Sequence, residues 1–174
     1  MTWNTDDALP DLEVLSVPEL IQLYRRTLYE LHDREVVQTL DNLTGGLAEL
    51  LVSIAYGGEL APNSQKGYDV LAGREQLQVK ARALPYPDVG SNTTGTVGPG
   101  HYDKMIVVLF NPADLSVAIA SELTPAVVEA KKTRKNRLTP NRVLMEELGM
   151  PITERLQAAA RELYNWPDVG QVHL

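Results

Sequence analysis

Four short β-rich segments follow one another between residues 68 and 123, and this run most limits what the chain can fold into. Each segment combines β-branched and large apolar residues and is bounded by turn-forming residues, as β-strands are. The segments are YDVLA, EQLQVKARA, DKMIVVLF and SVAIASEL. Short turns favour antiparallel pairing of consecutive strands, and helical patterns on both sides of the run must bury their apolar faces on the sheet. The sequence therefore predicts an α/β or α+β domain.

Helices are predicted before and after the strands from apolar spacing and from start and stop signals. Ser16 and Glu19 have the spacing of a capping box, and a Gly-Gly pair ends the second helix. Thr-Pro pairs at Thr124 and Thr139 each mark the start of a later helix. The predicted helices span 16–37, 45–57, 124–132, 139–149 and 152–166.

Length and composition predict a single domain over residues 1–174. Its helical N-terminal part covers 16–57, its sheet core 58–122 and its helical C-terminal part 124–166. The chain has no cysteine, which excludes disulfides and thiolate metal sites. No apolar run approaches the ~18 residues of a membrane span, and the acidic start MTWNTDDALPDLE does not resemble a secretion signal. We therefore expect a cytoplasmic protein without a membrane partner.

The charge of the chain is negative overall but positive in one segment. A net charge of −7 argues against non-specific coating of nucleic acid. The segment KKTRKNR, residues 131–137, nevertheless has five cations and no acid. Such a run is either a solvated helix end or a patch that docks a phosphate backbone. The five cations are Lys131, Lys132, Arg134, Lys135 and Arg137.

The segment EQLQVKARA has an unusual polar face. Side chains alternate along a strand, so its apolar residues share one face and its polar residues the other. The polar face carries Gln76, Gln78, Lys80 and Arg82. If this strand forms a hairpin with YDVLA around AGRE, Asp69 and Lys80 converge. A carboxylate can hold Mg²⁺, and a nearby lysine can contact phosphate or act as a base; otherwise the polar face is merely solvated.

The order of these residues resembles the PD-(D/E)-x-K nuclease superfamily over residues 44–122. Carried over to this sequence, Glu49 in GGLAELL corresponds to the helix glutamate and Asp69 in GYDV to the first metal-binding acid. Gln78 and Lys80 in QVK occupy the acid-x-Lys positions.

Two residues depart from the family's pattern. Gln78 replaces the usual acid, which removes one negative metal ligand, although superfamily variants with glutamine there can retain activity. Tyr68 stands where the family has a proline.

The resemblance implies a restriction-endonuclease-like core, an α/β fold with a mixed sheet of four to five strands flanked by helices. It implies a Mg²⁺-dependent DNA endonuclease of restriction or phage defence, with Mn²⁺ as an alternative ion and a homodimer as the active form. Glu49, Asp69 and Gln78 would hold the metal, and Lys80 would act on the phosphate or the attacking water. Ser64, Lys66, Arg82 and the five cations of segment 131–137 would contact nucleic acid.

Other functions stay open on the residues alone. A nuclease-like module that has lost catalysis through the missing acid at position 78 would also dock nucleic acid through segment 131–137. A structural or regulatory interaction protein has no sequence feature of its own. Taken singly, Glu49 fits a solvated helix face, Asp69 a turn and Lys80 the wet face of a sheet. The choice between DNA and RNA is also open.

Overall fold

The computed structural model describes residues 10–38, 43–62, 67–84, 93–97, 101–112 and 115–164. The helices are α1 (Val17–Asp33), α2 (Leu43–Tyr56), α3 (Pro125–Lys131) and α4 (Thr153–Tyr164), with a short 3-10 turn at Leu12–Val14 and a π-helical turn at Val143–Glu147. The strands are β1 (Glu59–Leu60), β2 (Val70–Ala72), β3 (Glu75–Ala83), β4 (Lys104–Phe110), β5 (Val117–Leu123) and β6 (Met150–Pro151). Among these helices, none is long and apolar enough to cross a membrane.

The strands form one mixed sheet in the order β1-β2-β3-β4-β5-β6. The α/β class, the mixed sheet and the flanking helices are therefore as predicted, and two edge strands of two residues each bring the total to six rather than four or five.

Antiparallel pairing, expected for consecutive strands joined by short turns, is found for β2 with β3 and for β4 with β5, whereas β3 and β4, which a long segment separates, run parallel. A parallel pair needs a crossover of a dozen or more residues, and segment 84–103 is long enough to supply it.

The sheet is covered on both faces. On the first face, α2 and α4 bury one apolar cluster that includes Leu51, Leu77, Val79, Ile106, Val108, Phe110 and Leu156. On the second face, α3, the π-helical turn and parts of two connecting segments bury another cluster that includes Val97, Met105, Val107, Leu109, Val128, Leu138 and Met145. Each face of β4 is therefore fully buried, as its continuous apolar sequence requires.

The helix predicted from Thr139 begins later than expected. The chain turns helical only at Arg142, as a π-helical turn, and the Asn141 side chain accepts a hydrogen bond from the Leu144 N–H at 2.9 Å. The preceding Leu138 is tied to the crossover, since the Thr94 N–H donates to its carbonyl at 2.8 Å. The residue before the Thr-Pro pair is thus bonded to a distant segment, a contact that no local signal in the sequence reports.

Candidate active site

Asp69 lies immediately before β2, with its carboxylate turned onto β3. Gly67 precedes it with a φ of 105°, a conformation that favours glycine. The Asp69 N–H donates to the Leu77 carbonyl at 2.8 Å, and its Oδ2 accepts from the Val79 N–H at 2.7 Å. The Asp69 side chain thus pairs with β3 in place of a strand neighbour, just before β2 begins, where β3 extends past the β2 pairing.

Gln78 and Lys80 share the second face of β3, as the alternation predicts. Their partners in the parallel pair are Met105 and Val107, both buried in the second cluster. Gln78 and Lys80 are half-buried, so this part of the face is not simply solvated, whereas Arg82 is exposed. The Gln78 side-chain NH₂ donates to Asp69 Oδ2, and its carbonyl oxygen remains an acceptor.

Glu49 reaches the same place from α2. It is half-buried, and burial together with the negative charge of Asp69 raises the pKa of its carboxyl to about 7, while the charge of Lys80 acts in the opposite direction. A glutamate on a solvated helix face would not have its pKa raised in this way. The charges of Glu49, Asp69 and Lys80 therefore lie close enough to act on one another, although they come from a helix, a turn and a strand.

The ionisation of Asp69 is balanced between opposing effects. Burial raises the pKa of its carboxyl, whereas the Val79 N–H, the Lys80 charge and the Gln78 amide each lower it. Since a charged hydrogen-bond acceptor is favoured by donors and by a nearby cation, these three contacts support the carboxylate form.

The donors at this site fit a hard divalent cation. Mg²⁺ prefers oxygen ligands, and the site offers two carboxylates and one neutral amide oxygen. A bound cation would also offset the burial that raises both carboxyl pKa values and the Asp69 charge that further raises the pKa of Glu49. Within the described ranges no group of three or more His, Asp or Glu side chains that could hold a metal ion is found, and the Gln78 amide oxygen is a further oxygen beside Asp69.

The basic segment lies on the second face of the sheet, the same face as Lys80 and Arg82. Lys131 ends α3, and the other four cations belong to a loop closed by the Thr133 N–H, which donates to the Arg137 carbonyl at 2.7 Å. Lys132 is half-buried and pairs with Glu129 at 2.6 Å, whereas the remaining cations are exposed. Ser64 and Lys66, which were expected to touch phosphate, lie outside the described residues.

Two features near the site were not predicted. Residues 93–97 of the crossover are pinned to the basic loop, because the Val97 N–H donates to the Asn136 carbonyl at 2.6 Å and Thr96 forms a bridge with Arg137. The sequence marks this crossover only as a long loop rich in small and polar residues. A second polar cluster surrounds Tyr56, at the other end of α2 from Glu49. The spacing of the polar residues along α2 is the signal that could have found it.

These residues define a candidate site composed of two half-buried carboxylates, an amide and a lysine, where β3 extends past its pairing with β2. Neither the protein-family models nor the curated proteins compared with this chain match it. The function is therefore argued from the site itself.

Proposed function

We propose that the protein is a metal-dependent endonuclease that hydrolyses DNA phosphodiester bonds, built on a restriction-endonuclease-like core. The observation that carries this proposal is the convergence of Glu49, Asp69, Gln78 and Lys80 beside the start of β2. Burying two acids close together is unfavourable for folding, so their juxtaposition beside a lysine calls for a chemical role.

The chain's own residues have distinct roles in this proposal. Asp69, held in place by the Val79 N–H, and Glu49 provide the charged oxygens for Mg²⁺ or Mn²⁺, and Gln78 provides its amide oxygen. Such an ion, when bound, neutralises charge that develops on the phosphate and lowers the pKa of a bound water. Lys80 donates a hydrogen bond to a phosphate oxygen or orients the attacking water.

DNA is the proposed substrate because cations continue beyond the site on the same face. Arg82 is exposed two residues after Lys80, and the basic loop extends that face. A homodimer would provide one site for each strand of a duplex, and its two-fold symmetry would match a palindromic target. Cytoplasmic restriction or phage defence is the setting proposed for such an enzyme.

A second candidate function is a nuclease-like module that binds DNA without cutting it. The observation that favours it is the Gln78 amide, which donates to Asp69 where an acid would add a third negative charge. Both functions require DNA binding on the second face of the sheet, and they differ in whether Asp69 and Lys80 are needed for more than binding.

Cleavage of supercoiled plasmid with Mg²⁺ tests the proposal. We expect Asp69→Asn and Lys80→Ala to lower the cleavage rate by about 10²-fold or more, the usual effect of removing one catalytic group. The matched control is Asp103→Asn, because Asp103 Oδ2 also accepts a β3 backbone N–H, that of Gln76, at 2.8 Å but comes from the segment just before β4. This control should cut at the wild-type rate.

Two results would contradict the proposal that the protein is a nuclease. The first is a folded Lys80→Ala or Asp69→Asn protein that cuts as fast as wild type. The second is a wild-type protein that binds DNA but does not cut it with Mg²⁺ or Mn²⁺, which would favour the binding module. A matched RNA duplex in the same assay decides between the two nucleic acids.

A further inference from the structure

The orientation of α2 is set by an unusual distribution of polar groups. Every residue of α2 is buried or half-buried, and its side chains are apolar except for Thr44, Glu49, Ser53 and Tyr56. On such a helix the pattern of polar and apolar residues alone distinguishes only weakly between rotations about the axis. Directional polar contacts are what distinguish one rotation from another.

Tyr56 makes the strongest directional contacts of this helix. Its hydroxyl donates to Glu122 Oε2 on β5 at 2.8 Å, and the Arg155 guanidinium of α4 lies 3.8 Å from the ring centroid. Burial and the charge of Glu122 raise the pKa of Tyr56 above its usual range, so the hydroxyl stays a donor. Arg155 Nε also donates to the Ala55 carbonyl at 2.8 Å, at the end of α2 where a cation complements the helix dipole.

The acceptor for Tyr56 is itself fixed. Glu122 is half-buried, and its Oε1 lies 3.3 Å from Lys104 Nζ on β4. Lys104 Nζ in turn lies 3.0 Å from Glu75 Oε2 on β3. The chain of contacts from Tyr56 therefore ends on the strand that carries Gln78 and Lys80.

Tyr56 and Glu49 lie on one stripe of α2. They are seven residues apart, which places them within about 20° of each other around the helix and about 10.5 Å apart along it. We propose that Tyr56 is a positioning residue for the candidate site: its hydrogen bond to Glu122 fixes the rotation of α2 and so holds Glu49 beside Asp69. This inference rests on the proposed metal-dependent function.

Mg²⁺ titration by calorimetry and carboxyl ¹³C NMR at pH 9 tests the role of Tyr56. Tyr56→Phe keeps the ring and removes only the hydroxyl. We expect the Mg²⁺ dissociation constant to rise about tenfold, as it does when an outer group that orients a ligand is removed. The Mg²⁺-induced shift of the Asp69 carboxyl signal should persist, and that of Glu49 should shrink.

The matched control is Ser53→Ala. It removes another hydroxyl of α2, but one whose hydrogen bond goes to the Leu50 carbonyl of the same helix at 2.8 Å. It should therefore leave the Mg²⁺ affinity unchanged. Arg155→Ala changes an exposed side chain and should weaken Mg²⁺ binding, as Tyr56→Phe does. If Tyr56→Phe does not fold, Arg155→Ala serves as the test variant in its place.

The outcomes separate positioning from metal binding. Equal Mg²⁺ affinity in wild type, Tyr56→Phe and Arg155→Ala would overturn the positioning role and leave the metal site intact. If wild type shows no Mg²⁺ response, the metal-dependent function fails, and the metal-free Glu49 signal decides on positioning. If the metal-free Glu49 signal is shifted from its wild-type position in Tyr56→Phe but not in Ser53→Ala, the positioning role of Tyr56 is supported. If the Glu49 signal keeps its wild-type position in Tyr56→Phe, that role is overturned.

Discussion

The Glu49 carboxyl loses water when the chain folds, and this loss makes stability depend on pH. Its pKa is about 7 in the folded protein, against a reference value of 4.5. Between these values the folded state holds a proton that the unfolded state has released, so this residue makes the protein less stable as pH rises from about 4.5 to about 7.

Glu49→Gln should remove this pH dependence. Without metal we expect the glutamine variant to be more stable than wild type at pH 8 by about 1–2 kcal/mol, because partial exposure screens the full effect of the shift. The two proteins should converge at about pH 4, below the reference pKa of 4.5, because the carboxyl is then protonated in both states. Urea unfolding in EDTA at both pH values measures this, with the exposed Glu59→Gln as control. A constant difference between the two proteins across this range would contradict the buried carboxyl.

A substitution at Gln78 is expected to raise the Mg²⁺ affinity of the site. Gln78→Glu would replace a donor to Asp69 by a third carboxylate, so without metal it should lower the unfolding temperature through repulsion. Calorimetry should then show Mg²⁺ binding tightened by about tenfold, since hard cations favour charged oxygens. Cleavage need not become faster, because Lys80 can pair with the new acid.

A matched control isolates the position of that charge. Gln76→Glu adds the same charge on the same face of β3, two residues from Gln78, where the Gln76 N–H is bonded to Asp103. It should leave Mg²⁺ affinity unchanged, and Asp69→Ala should make binding undetectable. Equal affinity in wild type, Gln78→Glu and Asp69→Ala would mean that no metal binds here.

Among the helices and strands, those with local signals could be predicted from the sequence. The capping box is present, with Glu19 Oε2 accepting from the Ser16 N–H at 2.8 Å, and Thr124 caps α3. The main strands lie within the predicted segments because alternation and turn residues are local. The parallel pairing of β3 and β4 and the π-helical turn depend on contacts between distant segments, such as Thr94 with Leu138, and no local pattern encodes them.

The candidate site was predictable as a set of residues but not as a geometry. The order Glu49, Asp69, Gln78, Lys80 could be read from the sequence, and the alternation placed Gln78 and Lys80 on one face. That the Asp69 carboxylate accepts the Val79 N–H depends on β2 beginning only at Val70. The role of Tyr56 depends on β5, α4 and α2 meeting, which only the folded chain defines.

The edge of β5 shows how α4 completes the sheet. The β6 strand pairs only with Ser121 and Glu122, and the rest of that edge faces α4. The Thr153 Oγ1 accepts from the Ala120 N–H at 2.9 Å, and Gln157 Nε2 donates to the Val117 carbonyl at 3.0 Å. These side chains occupy backbone groups that could otherwise pair with another strand, which disfavours a dimer through this edge.

For the molecule as a whole, the important contrast is between its acidic charge and its one basic loop. With a net charge of −7, the chain would repel the proposed DNA partner as a whole and attract it only where cations cluster. The bonds of residues 94 and 97 to the loop hold it against the second face of the sheet. The contrast should therefore orient DNA so that its backbone meets the face that carries Lys80 and Arg82.

The salt dependence of DNA binding tests this orientation. Changing Lys131, Arg134, Lys135 and Arg137 to glutamine should weaken binding and lower the slope of log affinity against log salt by about 0.9 for each lost phosphate contact, or about 3.6 in total. The control changes four other exposed arginines to glutamine: Arg26, Arg74, Arg142 and Arg161. Both variants lose four positive charges, so a general electrostatic effect would lower the slope equally in the two. We expect the full reduction of slope only in the loop variant, measured by fluorescence anisotropy with Ca²⁺ in place of Mg²⁺ to prevent cleavage. Equal slopes in the two variants would show that the loop does not contact DNA and that the approach is governed by net charge alone.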